Sequence, residues 1–226
     1  MIAIDNLTKS YGKNRVLVDL QARFALGRVH GVVGDNGAGK TTLFRCMAGL
    51  ETCEGRIEPA PALLRRNLGF LPAEPWYFPK MTGREYVRLL CSARGETARE
   101  LDQRNVFDLP LDRYASDYST GMKKKLALLA VLVQDNSLFI LDEPFNGVDI
   151  QSNMIIMEII HKLKEAGRTL IVSSHVFATL AETCDEIHLL RNGIVARHVE
   201  RSGFKSLEED LRAGSVRHKV DRLQFG

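Results

Sequence analysis

The stretch GDNGAGKT, residues 34–41, decides the fold. It fits the pattern G-x-x-x-x-G-K-[ST] and lies between a short apolar run, residues 29–33, and a helical pattern of apolar residues that extends to Leu50. The glycines let the backbone curl tightly, so that successive N–H groups point at phosphate oxygens. The N-terminus of the following helix adds roughly half a positive charge. This strand–loop–helix unit predicts an α/β fold that binds the phosphates of a nucleotide.

The residues of this phosphate loop have different expected roles. Lys40 can reach the β- and γ-phosphates, and Thr41 offers a hydroxyl group to Mg²⁺. A glycine-rich turn that ends by chance in Lys-Thr is the alternative, but the flanking strand and helix argue against it. The residues of this region that we predict to bind the nucleotide are Gly34, Asp35, Asn36, Gly37, Ala38, Gly39, Lys40, Thr41 and Thr42.

A second motif, LFILDE at residues 138–143, narrows the chemistry. The apolar run 137–141 is typical of a strand buried on both faces of a parallel sheet. Asp142 at its end is expected to hold Mg²⁺ through a water molecule, and Glu143 to accept a proton from the attacking water. General-base assistance of this kind is typically worth about 10²–10⁴ in rate. The N-K-x-D motif that is usual in GTPases is absent from the sequence, which argues against that class.

Hydrophobic periodicity predicts further strands. Residues 16–24 alternate between apolar and polar side chains, which indicates a half-buried strand in a small antiparallel sheet at the N-terminus. Its expected buried face consists of Val16, Val18, Leu20, Ala22 and Phe24. Residues 169–174 predict another buried strand, and residues 187–199 a hairpin that turns at Asn192-Gly193.

The region of about residues 74–135 differs in character from its surroundings. Prolines punctuate its start and polar stretches with helical period follow, so we interpret it as a mostly helical insertion. Residues 155–167 predict an amphipathic helix that ends at a glycine. Near the end of the chain, Ser206 and Glu209 predict a capping box at the start of a short helix, which a basic tail follows.

Length and composition limit the possible classes of protein. The chain has 226 residues, which suits one domain, and its net charge of +3 is too small to argue for nucleic acid. Its start turns polar at once, unlike a signal peptide, and its longest apolar run has eight residues. A membrane span needs about 20. The four cysteines form no CxxC pair and no zinc spacing, so we interpret them as reduced thiols in a cytosolic protein.

Three more motifs follow in order along the chain: YSTGM at residues 118–122, NGVD at 146–149 and SSH at 173–175. Together with the phosphate loop and LFILDE, they resemble the motifs of the ATP-binding subunits of ABC transporters, over about residues 1–200. YSTGM corresponds to the signature sequence of that family, and we call it the signature segment. NGVD corresponds to the D-loop, and the histidine of SSH to the switch histidine.

The resemblance implies the ABC ATPase fold. This fold is α/β, with a P-loop NTPase core in which helices flank a parallel sheet, an N-terminal antiparallel β-subdomain and a helical insertion. We expect one domain over residues 1–205, with the core in 1–73 and 136–205 and the helical subdomain in about 74–135. Residues 206–226 would form a short C-terminal tail.

The resemblance also implies a head-to-tail dimer of identical or different ATPase subunits, with two ATP molecules between them. The phosphate loop of one chain would face Ser119, Thr120 and Gly121 of the other. Small residues at a helix start fit this role, since they offer N–H and hydroxyl donors to a γ-phosphate at close range. Asp149 in the D-loop would serve the interface between the subunits.

The expected cofactors are ATP and Mg²⁺. Glu143, His175 and Lys40 would be the catalytic residues, with Thr41 and Asp142 at the metal and Tyr11 stacked on adenine. A separate transmembrane permease would be the partner, with export as the expected direction. The chain would then be cytoplasmic and peripheral, on the cytoplasmic face of the cell membrane, with no role in binding nucleic acid.

One position departs from the family pattern. Ala73 stands where the family normally has a glutamine that touches Mg²⁺ and the attacking water. Glu74 or a bound water would have to substitute for that glutamine, or hydrolysis would be slow. After the signature segment, Lys123, Lys124 and Lys125 are interpreted as a solvated face rather than as phosphate ligands.

Two sets of residues are open to more than one interpretation. The aromatic run Trp76-Tyr77-Phe78 would either dock a helix of the permease or pack within the insertion. The histidines outside the motifs are interpreted as structural or surface residues: His30, His161, His188, His198 and His218.

Two rival functions remain open from the sequence. One is a soluble ABC-type ATPase, for which cluster assembly fits best, because the chain has one phosphate loop and too short an insertion for long coiled coils. The other is a regulatory ATP-binding module with little turnover. Ala73 favours such a module, whereas the intact Asp142, Glu143 and His175 argue against it.

Overall fold

The computed structural model describes residues 1–215, with side chains through residue 212. Its strands are β1 Ile2–Tyr11, β2 Asn14–Phe24, β3 Val29–Val33, β4 Glu54–Glu58, β5 Leu68–Leu71, β6 Leu138–Leu141, β7 Thr169–Ser173, β8 Glu186–Arg191 and β9 Ile194–Glu200. Its α-helices are α1 Lys40–Met47, α2 Pro61–Leu64, α3 Gly83–Ser92, α4 Thr120–Leu132, α5 Ile150–Glu165, α6 Phe177–Thr183 and α7 Phe204–Ser215.

The strands form two sheets. An antiparallel sheet has the order β2-β1-β4, and a six-stranded sheet has the order β5-β6-β7-β3-β8-β9. The larger sheet is parallel except for β9, which pairs antiparallel with β8 across the predicted turn. Asn192 and Gly193 both have positive φ in that turn, at 51° and 78°. The predicted N-terminal antiparallel sheet, parallel core and hairpin are therefore present.

Two hydrophobic clusters cover the two faces of the parallel sheet. Consecutive residues of a strand point to opposite faces, so Ile140 packs towards the antiparallel sheet and α1, and Leu141 towards the helices of the other layer. Ile171 and Val172 divide in the same way. All residues of β3, β6 and β7 are buried, which explains their continuous apolar sequences.

The face of β2 differs from the prediction at its first half. Leu17 is fully buried, whereas Val16 and Val18 are only half-buried. The cause is a β-bulge at Asp19, where φ is 45° and the register with β1 shifts. The Asp19 N–H donates to Thr8 Oγ1 at 3.0 Å, which fixes the bulge.

The first helix also ends earlier than the hydrophobic pattern indicates. Helix α1 ends at Met47, and Gly49 follows with a φ of 65°. Leu50, which we expected on the buried face, is 55 % exposed. The left-handed glycine turns the chain away from the helix axis. Leu50 therefore does not continue the apolar face of α1, although its spacing in the sequence fits that face.

The insertion is helical in two parts only, α3 and α4, with residues 93–114 between them free of α-helix and strand. Thr82 begins α3 with a capping box, in which its side chain accepts from the Glu85 N–H and Glu85 accepts from the Thr82 N–H. Helix α3 packs on α4, and the insertion shares the core of the sheet's helical face.

The last helix begins before the predicted capping box. Helix α7 starts at Phe204, so Ser206 lies inside the helix, where its hydroxyl accepts from Arg197 Nη2 at 3.0 Å. The predicted cap at Ser206 is therefore wrong. Phe204 and Leu207 are buried in the hydrophobic cluster on the helical face of the sheet. The basic tail and His218 lie outside the described residues.

We predict that Leu207→Ala lowers the free energy of unfolding by about 2–5 kcal/mol, because it opens a cavity beneath α7. Urea unfolding followed by circular dichroism measures this change. Glu209→Ala is the matched control, since Glu209 is exposed on the same helix and its substitution should cost less than about 0.5 kcal/mol. Equal stabilities of the two variants would show that α7 does not belong to the folded domain.

Candidate functional site

The phosphate loop connects the end of β3 to the start of α1, in the middle of the parallel sheet. Two glycines are required by close approach. A Cβ at Gly34 would lie 2.3 Å from the Leu190 carbonyl oxygen. Gly39 has a φ of 108°, and a Cβ there would lie only 2.7 Å from Leu17 Cδ2. The loop is therefore pressed between β8 and β2, and its geometry fixes where phosphates bind.

Lys40 folds back along this loop. Its ammonium group donates to the Gly34 carbonyl at 2.6 Å and to the Asp35 carbonyl at 3.3 Å. It also lies 3.7 Å from Glu143 Oε1. Lys40 is only 7 % exposed. The carbonyl groups of the loop that would receive the phosphates therefore hold a buried positive charge.

Asp142 is the centre of a hydrogen-bonded group at the carboxyl ends of β6 and β7. Its carboxylate is fully buried and accepts from Thr41 Oγ1 at 2.6 Å and from Ser173 Oγ at 2.7 Å. Ser173 Oγ also accepts from the Glu143 N–H at 2.9 Å. The structure thus brings together the two predicted metal residues, which lie 101 positions apart.

Thr41 and Asp142 fit a magnesium ion by their chemistry. A hydroxyl and a carboxylate oxygen are hard oxygen ligands of the kind that Mg²⁺ prefers, and both atoms lie at the edge of the phosphate loop. These two side chains would hold the ion, either directly or through water.

Glu143 and His175 form the second polar pair of the site. Glu143 Oε2 lies 2.8 Å from His175 Nδ1 and accepts from the His175 N–H at 3.3 Å. Glu143 has a φ of 49°, a left-handed conformation uncommon for glutamate. Such strain turns its carboxylate from the strand axis towards Lys40 and His175, where a general base would need it.

Gly34, Asp35 and His175 line a separate cavity of about 390 Å³, whereas Lys40, Thr41 and Glu143 line one cleft of about 400 Å³. Its lining comprises Asn14, Val16, Asn36, Gly37, Ala38, Gly39, Lys40, Thr41, Thr42, Ala73 and Glu143. The predicted adenine residue, Tyr11, is not among them. It lies on β1 with 45 % exposure, and Lys9 Nζ lies 4.9 Å from the centre of its ring.

The interpretation of the lysines as a solvated face is wrong for Lys124. It is only 4 % exposed, and its ammonium group donates to the carbonyl of Ala73, the residue at the position of the family's glutamine. Burial lowers the pKa of Lys124, while the negative charges of Asp142, Glu143 and Glu74 oppose this shift. The sequence pattern missed Lys124, because three consecutive lysines give no sign of which one turns inward.

Tyr77 makes a second link to the start of α4. Its hydroxyl donates to the Lys123 carbonyl, and its ring packs on Tyr86 with centroids 4.6 Å apart. Trp76 and Phe78 on either side are exposed and stack edge to face at 4.3 Å. The aromatic run therefore divides, since Tyr77 packs within the insertion and its two neighbours face outward.

The signature segment lies at the N-terminus of α4 and does not line the cleft. Ser119 caps the helix by accepting from the Met122 N–H at 3.2 Å, and both Ser119 and Thr120 are exposed. A Cβ at Gly121 would lie 2.7 Å from the Gly147 carbonyl oxygen, so only glycine lets this helix approach the D-loop so closely. Of the three predicted trans residues, Ser119 and Thr120 are thus available on the surface, and Gly121 is half-buried.

Asp149 of the D-loop caps α5. Its carboxylate accepts from the Ser152 N–H at 2.8 Å and from the Ser152 hydroxyl at 2.7 Å. These bonds, with a weaker contribution from Lys125, hold the pKa of Asp149 well below its usual range. Lys125 Nζ lies 3.3 Å from Asp149 Oδ2, which ties the D-loop to the helix of the signature segment.

None of the helices described between residues 1 and 215 is long and apolar enough to cross a membrane.

Residues 17–146 match the family model described as ABC transporter. The chain is 30 % identical over 224 residues to the lantibiotic transport ATP-binding protein SrtF of Streptococcus pyogenes, and the match covers 92 % of this chain and 95 % of that protein.

Solved structures agree with this similarity. The structure of an ATP-binding subunit of an ABC transporter matches with a TM-score of 0.81 and 26 % identity, covering 98 % of both chains. A dimeric ATP-binding cassette in a post-hydrolysis state with ADP and phosphate shares the fold, with a TM-score of 0.80 and 21 % identity over 89 % of this chain and 99 % of that one. The chain therefore belongs to the ABC transporter family, as an ATP-binding subunit with ATPase activity.

Proposed function

We propose that this subunit binds and hydrolyses ATP in a head-to-tail dimer and thereby drives export through a separate transmembrane permease. The observation that carries the proposal is the division of the ATP site within one chain. Lys40, Thr41 and Glu143 line one cleft, whereas Ser119 and Thr120 of the signature segment lie exposed outside it. A second copy or a related subunit would complete the site.

Five polar side chains in and around the cleft have a part in the proposed reaction. Lys40 would leave the loop carbonyls to contact the β- and γ-phosphates of ATP. Thr41 and Asp142 would hold Mg²⁺, which neutralises charge on those phosphates when bound. Glu143 would accept a proton from the attacking water, while His175, which contacts it at 2.8 Å, orients the carboxylate.

The partner subunit would supply its signature segment to the γ-phosphate. Helix α4 has 13 residues, and its exposed N-terminus offers the partial positive charge and free N–H groups that attract an anion. Ser119 and Thr120 add hydroxyl donors at the same end. The contact between Gly121 and the D-loop would let one ATP site sense the closure of the other.

Lys124 would take over part of the role of the missing glutamine. Its hydrogen bond to the Ala73 carbonyl joins α4 to the loop after β5, and Ala73 in that loop lines the cleft. The loop continues to Trp76 and Phe78, whose exposed rings suit a contact with a helix of the permease. Lys124 would thus connect the phosphate end of the cleft to the docking surface.

The direction and location of transport are part of the proposal. A relative that the chain matches over 95 % of its length is named for lantibiotic transport, and we propose export for this chain. Docking through Trp76 and Phe78 would place the chain on the cytoplasmic face of the cell membrane. ATP is the expected nucleotide in both sites of the proposed dimer, each of which lies between the cleft of one subunit and the signature segment of the other.

We predict that Glu143→Gln lowers the ATPase rate by a factor of about 10²–10⁴, because the amide cannot accept the proton from water. ATP should still bind with a Kd within a few-fold of the wild-type value. A phosphate-release assay and a nucleotide-binding titration measure the two quantities. Glu158→Gln is the control, since Glu158 is exposed on α5 and should leave both values unchanged. A rate above roughly a tenth of wild type for Glu143→Gln would exclude it as the base.

The permease is tested with the same Glu143→Gln variant. It should stall in the ATP-bound closed state, so a weakly held partner should persist when tagged protein is purified from detergent-solubilised cells with ATP and Mg²⁺. We expect a multi-pass membrane protein to copurify. Recovery of soluble partners only would contradict the transport function and favour a cytosolic ABC-type ATPase.

We predict that Lys124→Met slows ATP turnover about 10- to 100-fold, because a buried hydrogen bond to a charged group is worth about 1.5–3 kcal/mol. The Kd for ATP should change less than about twofold, since no phosphate contact is lost. Lys123→Met is the matched control, because the described structure shows no side-chain bond from that neighbouring lysine. Equal turnover numbers for the two variants would show that Lys124 does not act on the cleft.

A further inference from the structure

A cluster of buried polar residues lies in the parallel sheet outside the nucleotide cleft. His30 on β3 pairs in register with Glu186 on β8, and His188 on β8 pairs with His198 on β9. Potential ligand atoms of His30, Glu186 and His188 lie within 4.8 Å of one another, and all three residues are buried. The ring of Phe24 covers the cluster, 5.2 Å from the His30 ring and 4.8 Å from the His188 ring.

His30 presents a bare nitrogen to a carboxylate. Its Nε2 lies 2.8 Å from the Ala25 carbonyl, which can only accept, so the hydrogen of the neutral ring sits on Nε2. Its Nδ1 then has a lone pair and lies 3.0 Å from Glu186 Oε1, with no hydrogen bond between them. Two acceptors face each other here at full burial, which is unfavourable unless a proton or a cation lies between them.

His188 has two ring nitrogens without a hydrogen-bond partner among the residues that the structure describes. Its side chain is buried at 3 % exposure. Burial lowers its pKa to about 3, so the ring is neutral and one nitrogen carries a lone pair. A buried unpaired donor or acceptor costs about 1–3 kcal/mol, and such groups are rare in folded proteins.

We infer that His30, Glu186 and His188 bind a divalent transition-metal ion, with Zn²⁺ as the best match. One ion would satisfy His30 Nδ1, Glu186 Oε1 and a nitrogen of His188 together. Two imidazoles and a carboxylate are a ligand set that Zn²⁺ accepts, and a water molecule would complete the tetrahedron. Tetrahedral ligand atoms lie about 3.3 Å apart, so small rotations of the rings close the present spacing.

The surroundings of the three residues fit this assignment. Metal-bound histidines usually donate their other ring N–H to a carbonyl or carboxylate, as His30 does to Ala25. Glu186 Oε2 is bonded to His198 Nε2, which leaves Oε1 for the ion. Arg28 Nη1 lies 3.7 Å from that Oε1, but it is equally close to Glu200, at 3.8 Å, and can turn to it.

A shared proton explains less than a metal. A proton between His30 and Glu186 would pair those two groups, but it would leave both nitrogens of His188 unsatisfied. The ion would join β3 to β8 and, through His198, stabilise β9, so we assign it a structural and not a catalytic function.

The test uses the full chain without a histidine tag, stripped with a chelator and titrated with Zn²⁺. We expect one ion per chain and a rise in Tm of about 5–10 °C at a hundredfold excess over Kd, because the ion binds only the folded state. Co²⁺ should give visible bands of tetrahedral coordination without a thiolate charge-transfer band, which excludes a site at Cys46 and Cys53.

Variants decide between the outcomes. His188→Phe and Glu186→Gln should lose the ion, the Tm shift and the cobalt bands, whereas His161→Gln, a histidine on α5 outside the cluster, should keep all three. Without metal, ATP binding by His188→Phe should equal that of the wild type, which shows that the variant is folded. The inference is overturned if Zn²⁺ does not bind, or if it binds His188→Phe as tightly as the wild type. The shared proton would then be the explanation.

Discussion

The buried carboxylate of Asp142 is the constraint on which the arrangement of the cleft depends. It has no exposure to water, and hydrogen bonds from Thr41 and Ser173 hold it in place. A buried charge without such partners would be strongly unfavourable. These bonds join the start of α1 to the ends of β6 and β7, and Ser173 also fixes the backbone of Glu143. The position of Glu143, the proposed general base, is therefore set by the same group that would hold the metal.

A second level of organisation connects this cleft to the proposed dimer interface. Helix α4 carries the exposed Ser119 and Thr120 at its start, Lys124 bonded to Ala73 of the cleft and Lys125 against the D-loop. Gly121 lets α4 touch the D-loop directly. One helix thus contacts Ala73 and the D-loop and carries part of the proposed dimer interface. A movement of α4 would therefore shift all three.

The sequence predicted those parts of the fold in which local pattern and tertiary environment agree. The phosphate loop has glycines whose spacing the close contacts with Leu17 and Leu190 require, and the buried strands are continuously apolar. Lys124 and the histidine cluster were not predicted, because strand pairing and helix packing place their partners. The bulge at Asp19 changed the expected buried face of β2 in its first half only, and it was not predicted either, because its cause is the pairing with β1.

The central claim is that a second subunit completes each ATP site with its signature segment, and a mass measurement tests it directly. In the Glu143→Gln background, Thr120→Glu places a carboxylate at the exposed first residue of α4, where it suits the helix dipole but would repel a γ-phosphate across the interface. With ATP and Mg²⁺, we expect Thr120→Gln to dimerise and Thr120→Glu to bind ATP yet stay monomeric in analytical ultracentrifugation. Dimerisation of both variants to the same extent would contradict the claim.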